Sequence, residues 1–255
     1  MSETEELSEK LYNAYLQNSP LNWQDYEEEV STKKVAYDVQ HAFNDKKGDA
    51  VKGYKISLTS KETQDLFDSD SPLYGEIVAP SVLKNEAEVK LEDLNEPLIE
   101  LELEFIAAED LSPEDDEETL LKKTTIAPGI EIPDSRFKDW FPKLPLNLVI
   151  SDSAVCGRVV VGPTAPKLTL EKLAAVKTSV TFNGKKLMEG LSSEVLGNPL
   201  HALKWLVKKL GEEGTTVKKG TTVSTGTFCL PKRLQKGDYV ATFDQGVGSV
   251  TVHVR

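Results

Sequence analysis

Residues 97–107 read PLIELELEFIA, with Glu100, Glu102 and Glu104 at every second position and Ile99, Leu101, Leu103 and Phe105 between them. Successive side chains of a strand point to opposite faces, so this period of two predicts a strand with its carboxylates on one side. Like charges that close repel and raise one another's pKa, and glutamate is a poor strand former. Two arrangements relieve the repulsion. One is the solvated polar face of an ordinary antiparallel sheet. The other is a hard cation gripped by carboxylates at i and i+2 from the same side. A third oxygen ligand elsewhere in the chain would favour the cation.

On the N-terminal side, residues 1–50 read as a helical region: TKKVAYDVQHAF puts Val35, Val39, Ala42 and Phe43 on one stripe, and Ser19-Pro20 divides the region in two. From Val51 to Arg255 a β pattern dominates, in short segments separated by Gly, Pro and Asn. Asn183-Gly184 marks a two-residue hairpin, and QKGDYVATF with GVGSVTVHV reads as the final strand pair. Two helices interrupt the strands. One is expected from Ser112 as cap and Pro113 at the first position, the other from Asn198 and Pro199, ending at glycines. The fold class is α+β, rich in β, with an N-terminal helical region over 1–50 and the main domain over 51–255.

The chain has 255 residues, 39% of them hydrophobic, enough to bury a proper core. Its formal net charge of −12 repels phosphate backbones, so no nucleic-acid partner is expected. No apolar run is long enough to cross a bilayer and none resembles a leader, so no membrane partner and a cytoplasmic location are expected. Cys156 and Cys229 match no thiol–metal or redox spacing, and His41, His201 and His253 include no pair at zinc-ligand spacing. Any metal should be held by oxygen.

Glu131 lies between Ile130 and Ile132, a flanking that suggests a half-buried carboxylate in need of a partner. Arg136 is the obvious candidate for that partner; a metal is the alternative. In VKGYKISLTS (51–60), strand alternation puts Lys55 on one face with Gly53 and Ser57, leaving open space around the amine. Such a lysine is either an edge-strand charge that discourages aggregation or a proton-transferring amine in a cleft.

GYKISLTS (53–60), the Glu-X-Glu of PLIELELEF (97–105), GIEIPDSRFKDW (129–140), SDSAVCG (151–157), SSEVLGNPLHALKWL (192–206) and GVGSVTV (246–252) stand in this order. Together they resemble the fumarylacetoacetate hydrolase superfamily, in its branch of 2-keto-4-pentenoate hydratases and 2-oxo-3-hexenedioate decarboxylases. The likeness runs from about residue 35 to the C-terminus. It implies a mixed β-roll with peripheral helices, a Mg²⁺ or Mn²⁺ ion and a 2-oxo or 2-hydroxy-dienoic acid substrate, in a homo-oligomer. Matched residue by residue, the metal ligands fall on Glu100, Glu102 and Glu131 and the active-site lysine on Lys55. Thr59, Ser153 and Ser193 are candidate substrate contacts, and Glu104 lies beyond the motif.

The activity the resemblance implies is a lyase reaction, hydration of 2-hydroxypenta-2,4-dienoate to 4-hydroxy-2-oxopentanoate. Ser193-Glu194 resembles the hydratases. Leu73-Tyr74-Gly75 stands where the hydratases carry Asp-Phe-Gly, so a carboxylate expected near the substrate is absent. That departure keeps open 2-oxo-3-hexenedioate (4-oxalocrotonate) decarboxylation, or a catalytically silent protein that binds a 2-oxo acid.

Overall fold

Thr32 accepts a hydrogen bond from Val35 N and starts the second helix, and Gly48, left-handed at φ 70°, ends it. The computed structural model describes residues 3–255 and places two helices first, α1 (Glu3–Gln17) and α2 (Lys33–Lys47). Leu7 and Leu11 of α1 and Val39 and Phe43 of α2 are buried in the main core, each such side chain stabilising by roughly 1.5–3 kcal/mol. Val35 and Ala42, expected on the inner stripe, are only partly buried; Gln40 and Asn44 lie inside instead. Gln40 Nε2 donates to the carbonyls of Tyr74 and Ile150, and its Oε1 accepts from Glu76 N. The helix is thereby stitched to the elements below it by polar contacts as well as apolar ones.

The remaining elements follow as β1 (Val51–Ser57), α3 (Lys61–Leu66), β2 (Leu73–Val78), β3 (Val82–Lys84), β4 (Ala87–Val89), β5 (Leu98–Ala107), α4 (Glu117–Lys123) and β6 (Thr124–Ile132). Then come α5 (Leu146–Ser151), β7 (Arg158–Val161), α6 (Leu170–Leu173), β8 (Lys177–Phe182), β9 (Lys185–Leu191), α7 (Pro199–Glu212), β10 (Thr222–Ser224), β11 (Lys232–Arg233), β12 (Gly237–Phe243) and β13 (Gly248–Val254). The larger sheet runs β2-β1-β10-β5-β6-β7-β3, with β11 added to β5; the smaller runs β4-β13-β12-β8-β9. The β1–β10, β3–β7 and β4–β13 pairs are parallel and the others antiparallel, so both sheets are mixed.

Asn183 and Gly184 carry the positive φ of the expected hairpin, and Asn198 caps α7 with Pro199 in its first turn. The acidic helix begins later than Ser112. Asp116 accepts from Thr119 N as the cap, while Ser112 N donates to Asp115 in a preceding turn. A run of five adjacent acids offers several caps, and the helix that Asp116 starts sets Leu120 against the core. The β5 strand is buried on both faces, so the solvated-face arrangement does not occur. No described helix is long and apolar enough to cross a membrane.

Candidate metal centre and its cavity

Register assembles the centre. Across β5 and β6, Glu100 faces Glu131, Glu102 faces Gly129 and Glu104 faces Ala127; directly opposed residues of an antiparallel pair share a face. On the other side of β5, Ser224 of β10 opposes Glu104, and Lys55 of β1 stands level with Ser224. In a flat sheet β1 and β6 would be roughly 14 Å apart. Lys55 Nζ nevertheless makes an ion pair with Glu131 Oε1, so the sheet curls with this face concave. Lys55 is therefore not an edge lysine: β2 and β10 flank its strand, and it is fully buried.

Carboxylate oxygens of Glu100, Glu102 and Glu131 all lie within 4.8 Å of one another. Burial, then the neighbouring Glu131, pushes Glu100 up to about 8, against the pull of Lys55. Burial and the adjoining glutamates push Glu102 well above the ordinary carboxylate range. Burial alone would lower the Lys55 ammonium, but Glu131 and Glu100 outweigh it and hold Lys55 above its usual value. Glu131 Oε2 accepts no hydrogen bond from any described residue. Three converging carboxylates, one cation and an orphaned buried oxygen form an all-oxygen donor set that fits a hard divalent ion.

Glu104 belongs to the same face but differs in its partners. Ser224 Oγ is 2.6 Å from Glu102 Oε2 and 2.8 Å from Glu104 Oε1. A hydroxyl has one hydrogen to give. Ser224 serves Glu102 with it when Glu104 is protonated and donates in return, and burial pushes Glu104 up to about 8. Gly129 makes room for this acid, since a Cβ there would run into the Glu104 side chain. Glu102 also accepts from the backbone N of Gly226 at 2.8 Å. Gly226 sits at φ 116°, where only glycine is at ease, with Thr59 packed against it.

Lys55, Glu100, Glu102, Ser57 and Thr59 line one cavity, whose other lining is mainly apolar, with Phe67, Trp140 and Phe141 in it, together with Thr63 and Thr227, whose hydroxyls donate to the carbonyls of Ser60 and Cys229. The candidate substrate contacts divide here. Thr59 lines the cavity, whereas Ser153 and Ser193 are not among its lining residues. Ser153 Oγ is buried and accepts from Asn44 Nδ2 at 2.6 Å, toward α2. Ser193 lies in the turn after β9, where Leu196 N donates to Thr59 O and so steadies the Thr59 segment. Leu73 opposes Ser57 across β1 and β2, on the Lys55 side of the sheet, and no carboxylate takes its place.

Arg136 does not pair with Glu131. The chain turns away after β6, and the Arg136 side chain binds Asp152 through Nε while Nη2 and Nη1 donate to the carbonyls of Asp152 and Cys156, each at 2.7 Å. Those two carbonyls bracket Ser153, Ala154 and Val155, three consecutive residues at φ 50–53°. Left-handed non-glycine residues cost of order 1–3 kcal/mol each and persist where their surroundings over-determine them. Arg136 clamps both ends of the run, and Gly75, opposite Lys55, leaves room for the Ser153 carbonyl. Val155, at the end of the run, lines the cavity. Sequence reasoning missed Ser224, Asn44 and this clamp: each is a common residue type whose partner lies far along the chain.

No family model matches the chain. It is 32% identical over 209 residues to the 2-hydroxyhexa-2,4-dienoate hydratase of Comamonas testosteroni, covering 80% of this chain and 78% of that one. It is 31% identical over 222 residues to the 2-keto-4-pentenoate hydratase of Burkholderia vietnamiensis, covering 85% and 84%. Its fold matches the 4-oxalocrotonate decarboxylase from Pseudomonas putida G7, complexed with magnesium and adipate, with a TM-score of 0.89 at 24% identity over 99% and 97% of the two chains.

Proposed function

The chain belongs to the fumarylacetoacetate hydrolase superfamily, in its 2-keto-4-pentenoate hydratase and 4-oxalocrotonate decarboxylase branch, and on that premise we propose that it is a metal-dependent hydratase of 2-hydroxy-2,4-dienoic acids. The reaction adds water to 2-hydroxypenta-2,4-dienoate, or a substituted relative, to give the 4-hydroxy-2-oxo acid. The observation that carries this reading is Lys55, buried against Glu131 and beside Glu100 in a largely apolar cavity.

Glu100, Glu102 and Glu131 would hold a Mg²⁺ or Mn²⁺ ion. When bound, such an ion supplies Lewis-acid polarisation of a chelating 2-oxo acid. Lys55 Nζ holds a proton where the substrate must gain one: the dienol gives up its 2-hydroxyl proton and takes one at its terminal carbon to become the tautomeric unsaturated ketone, which then adds water across its double bond. Glu131 Oε1, in contact with Nζ, keeps that amine charged and oriented. Thr59, fixed between Gly226 and the turn after β9, is placed to orient the substrate or the incoming water. Phe67, Trp140 and Phe141 keep bulk water from the conjugated chain.

The test is loss of the ultraviolet absorbance of a 2-hydroxy-2,4-dienoate with Mg²⁺ or Mn²⁺, against a chelator control. A positioned acid or base contributes about 10²–10⁴-fold, so Lys55→Met is expected to lower turnover by that order while metal binding persists. Metal-dependent turnover that survives Lys55→Met would remove Lys55 from the mechanism. A second reading, decarboxylation of 2-oxo-3-hexenedioate, is favoured by Leu73 standing beside Ser57 where a carboxylate is absent. Carbon dioxide release separates the two.

A further inference from the structure

Two irregular strips of chain contribute to the cavity lining. One, after β6, supplies Trp140 and Phe141, whose ring centroids are 5.6 Å apart. The other supplies Thr227, Leu230 and Pro231 and runs into β11, a strand of only two residues. Both strips are tied to Glu96, just before β5. Its Oε1 accepts from Asp139 N at 2.9 Å and its Oε2 from Arg233 Nη2 at 2.7 Å, while its carbonyl accepts from Trp140 Nε1 at 3.0 Å and Arg233 Nη1 at 3.1 Å. Asp139, next to Trp140, is left-handed at φ 50°. A non-glycine residue keeps such a conformation where its surroundings over-determine it, and the Glu96 carboxylate provides that hold on its amide. The Glu96–Arg233 pair is partly exposed, and such a pair alone contributes little to stability. Its importance lies in one carboxylate bridging two strips.

From this bridge we infer that Glu96 is a positioning residue for the substrate: its carboxylate ties the Asp139–Phe141 strip to Arg233 and so sets how the two strips of the cavity wall stand relative to each other. The inference rests on the 2-oxo acid reading above, which places the substrate in this cavity. Glu96 is not among the lining residues, so it acts only through Trp140 and Phe141 on one strip and Leu230 and Pro231 on the other. Removing its side chain leaves both carbonyl bonds, which need only the backbone, and the indole stays anchored. What is lost is the hold on Asp139 and the charge beside Arg233. The wall holds substrate and transition state alike, so the loss belongs in KM and not in kcat. Glu100 and Glu102 lie farther along β5, within its ladder with β6, and keep their places.

The experiment compares the whole protein with Glu96→Ala, Glu96→Gln and Arg233→Ala in three measurements: turnover of 2-hydroxypenta-2,4-dienoate with Mg²⁺, calorimetric titration with unreactive 2-oxopentanoate and Mg²⁺, and Mn²⁺ affinity. Glu96→Ala is expected to raise KM and the 2-oxopentanoate Kd about tenfold, with kcat and Mn²⁺ affinity within about twofold of wild type. Glu96→Gln keeps an oxygen for Asp139 N, and Arg233→Ala keeps the whole Glu96–Asp139 bond. Each removes one half of the bridge and is expected to raise the same two constants about threefold. These half-bridge variants decide the matter if Glu96→Ala does not fold. Wild-type KM and Kd in the variants would overturn the inference while the 2-oxo acid reading stands. So would kcat and Mn²⁺ affinity falling together with them, since Glu96 would then be merely structural. If the wild type neither turns over the dienoate nor binds 2-oxopentanoate, that reading fails and the inference falls with it.

Discussion

The ionic assemblies around Arg136–Asp152 and around Lys55 are both buried, and they are built to opposite rules. Around Arg136 and Asp152 every charged atom is answered: Asp152 accepts from the Ser135 hydroxyl and from Arg136 N and Nε, and the rest of the guanidinium goes to two carbonyls. Around Lys55 one cation serves a face carrying Glu100, Glu102, Glu104 and Glu131; among the described residues Glu104 Oε2 and Glu131 Oε2 have no partner, and Glu131 Oε1 has only its ion pair with Lys55. Burying unanswered carboxylates costs free energy. A fold that can satisfy Arg136 so fully, yet leaves the glutamates short of positive charge, is arranged for a ligand in the second place and for rigidity in the first.

The comparison breaks most readily at the clamp. Removing one partner of a buried ion pair costs about 3–5 kcal/mol, so Arg136→Ala should lower the urea midpoint strongly and free the left-handed Ser153–Val155 run. A midpoint near wild type would show that the clamp holds nothing.

A smaller effect is expected from pH on the metal-free protein. Glu100 and Glu104 are pushed up to about 8 by burial, from an ordinary value near 4.5. An acid whose folded-state pKa is raised contributes stability that is full below its unfolded pKa and disappears as pH rises through the folded one. Thermal melts without metal should therefore fall between about pH 4.5 and about pH 8. Mg²⁺ or Mn²⁺ needs the deprotonated glutamates, so its stabilising effect should grow over the same range. A metal-free protein at least as stable at the upper end would mean that the glutamates are not held protonated.

The smallest effect should come from Glu104→Gln. Glutamine mimics a protonated acid that hydrogen-bonds Ser224, so metal affinity should change only a few-fold, about 1 kcal/mol or less. A loss as large as that of Glu102→Gln would make Glu104 a ligand.

Much of this was legible in the chain. The period of two in 97–107, the Asn183-Gly184 turn and the Asn198-Pro199 cap each specify local geometry through near neighbours, and the structure has the strand, hairpin and helix there. The resemblance carried Glu131 and Lys55 to the face of Glu100 and Glu102, where register sets them. Long-range pairing was not legible. Arg136 lies five residues after Glu131 and was the natural partner by proximity, yet the irregular chain after β6 carries it to Asp152. The burial of β5 on both faces was hidden too, because alternating glutamates look the same toward solvent and inside a curled sheet. The Ser112 cap failed for a simpler reason: Asp116 competes for the same role a few residues on.

The most direct test of the claim that the glutamate face is a metal centre is Mn²⁺ titration followed by electron paramagnetic resonance, on the wild type and on Glu100→Gln, Glu102→Gln and Glu131→Gln, with a thermal melt of each metal-free protein alongside. The account predicts one Mn²⁺ per chain for the wild type and affinity lowered by well over tenfold in every variant, about 1.4 kcal/mol per decade; metal-free melting temperatures should stay equal to or above wild type for Glu100→Gln and Glu102→Gln, whose acids burial pushes toward the neutral form, and fall for Glu131→Gln, which leaves buried Lys55 without its partner. No bound Mn²⁺ in the wild type, or affinity untouched by all three substitutions, would contradict it.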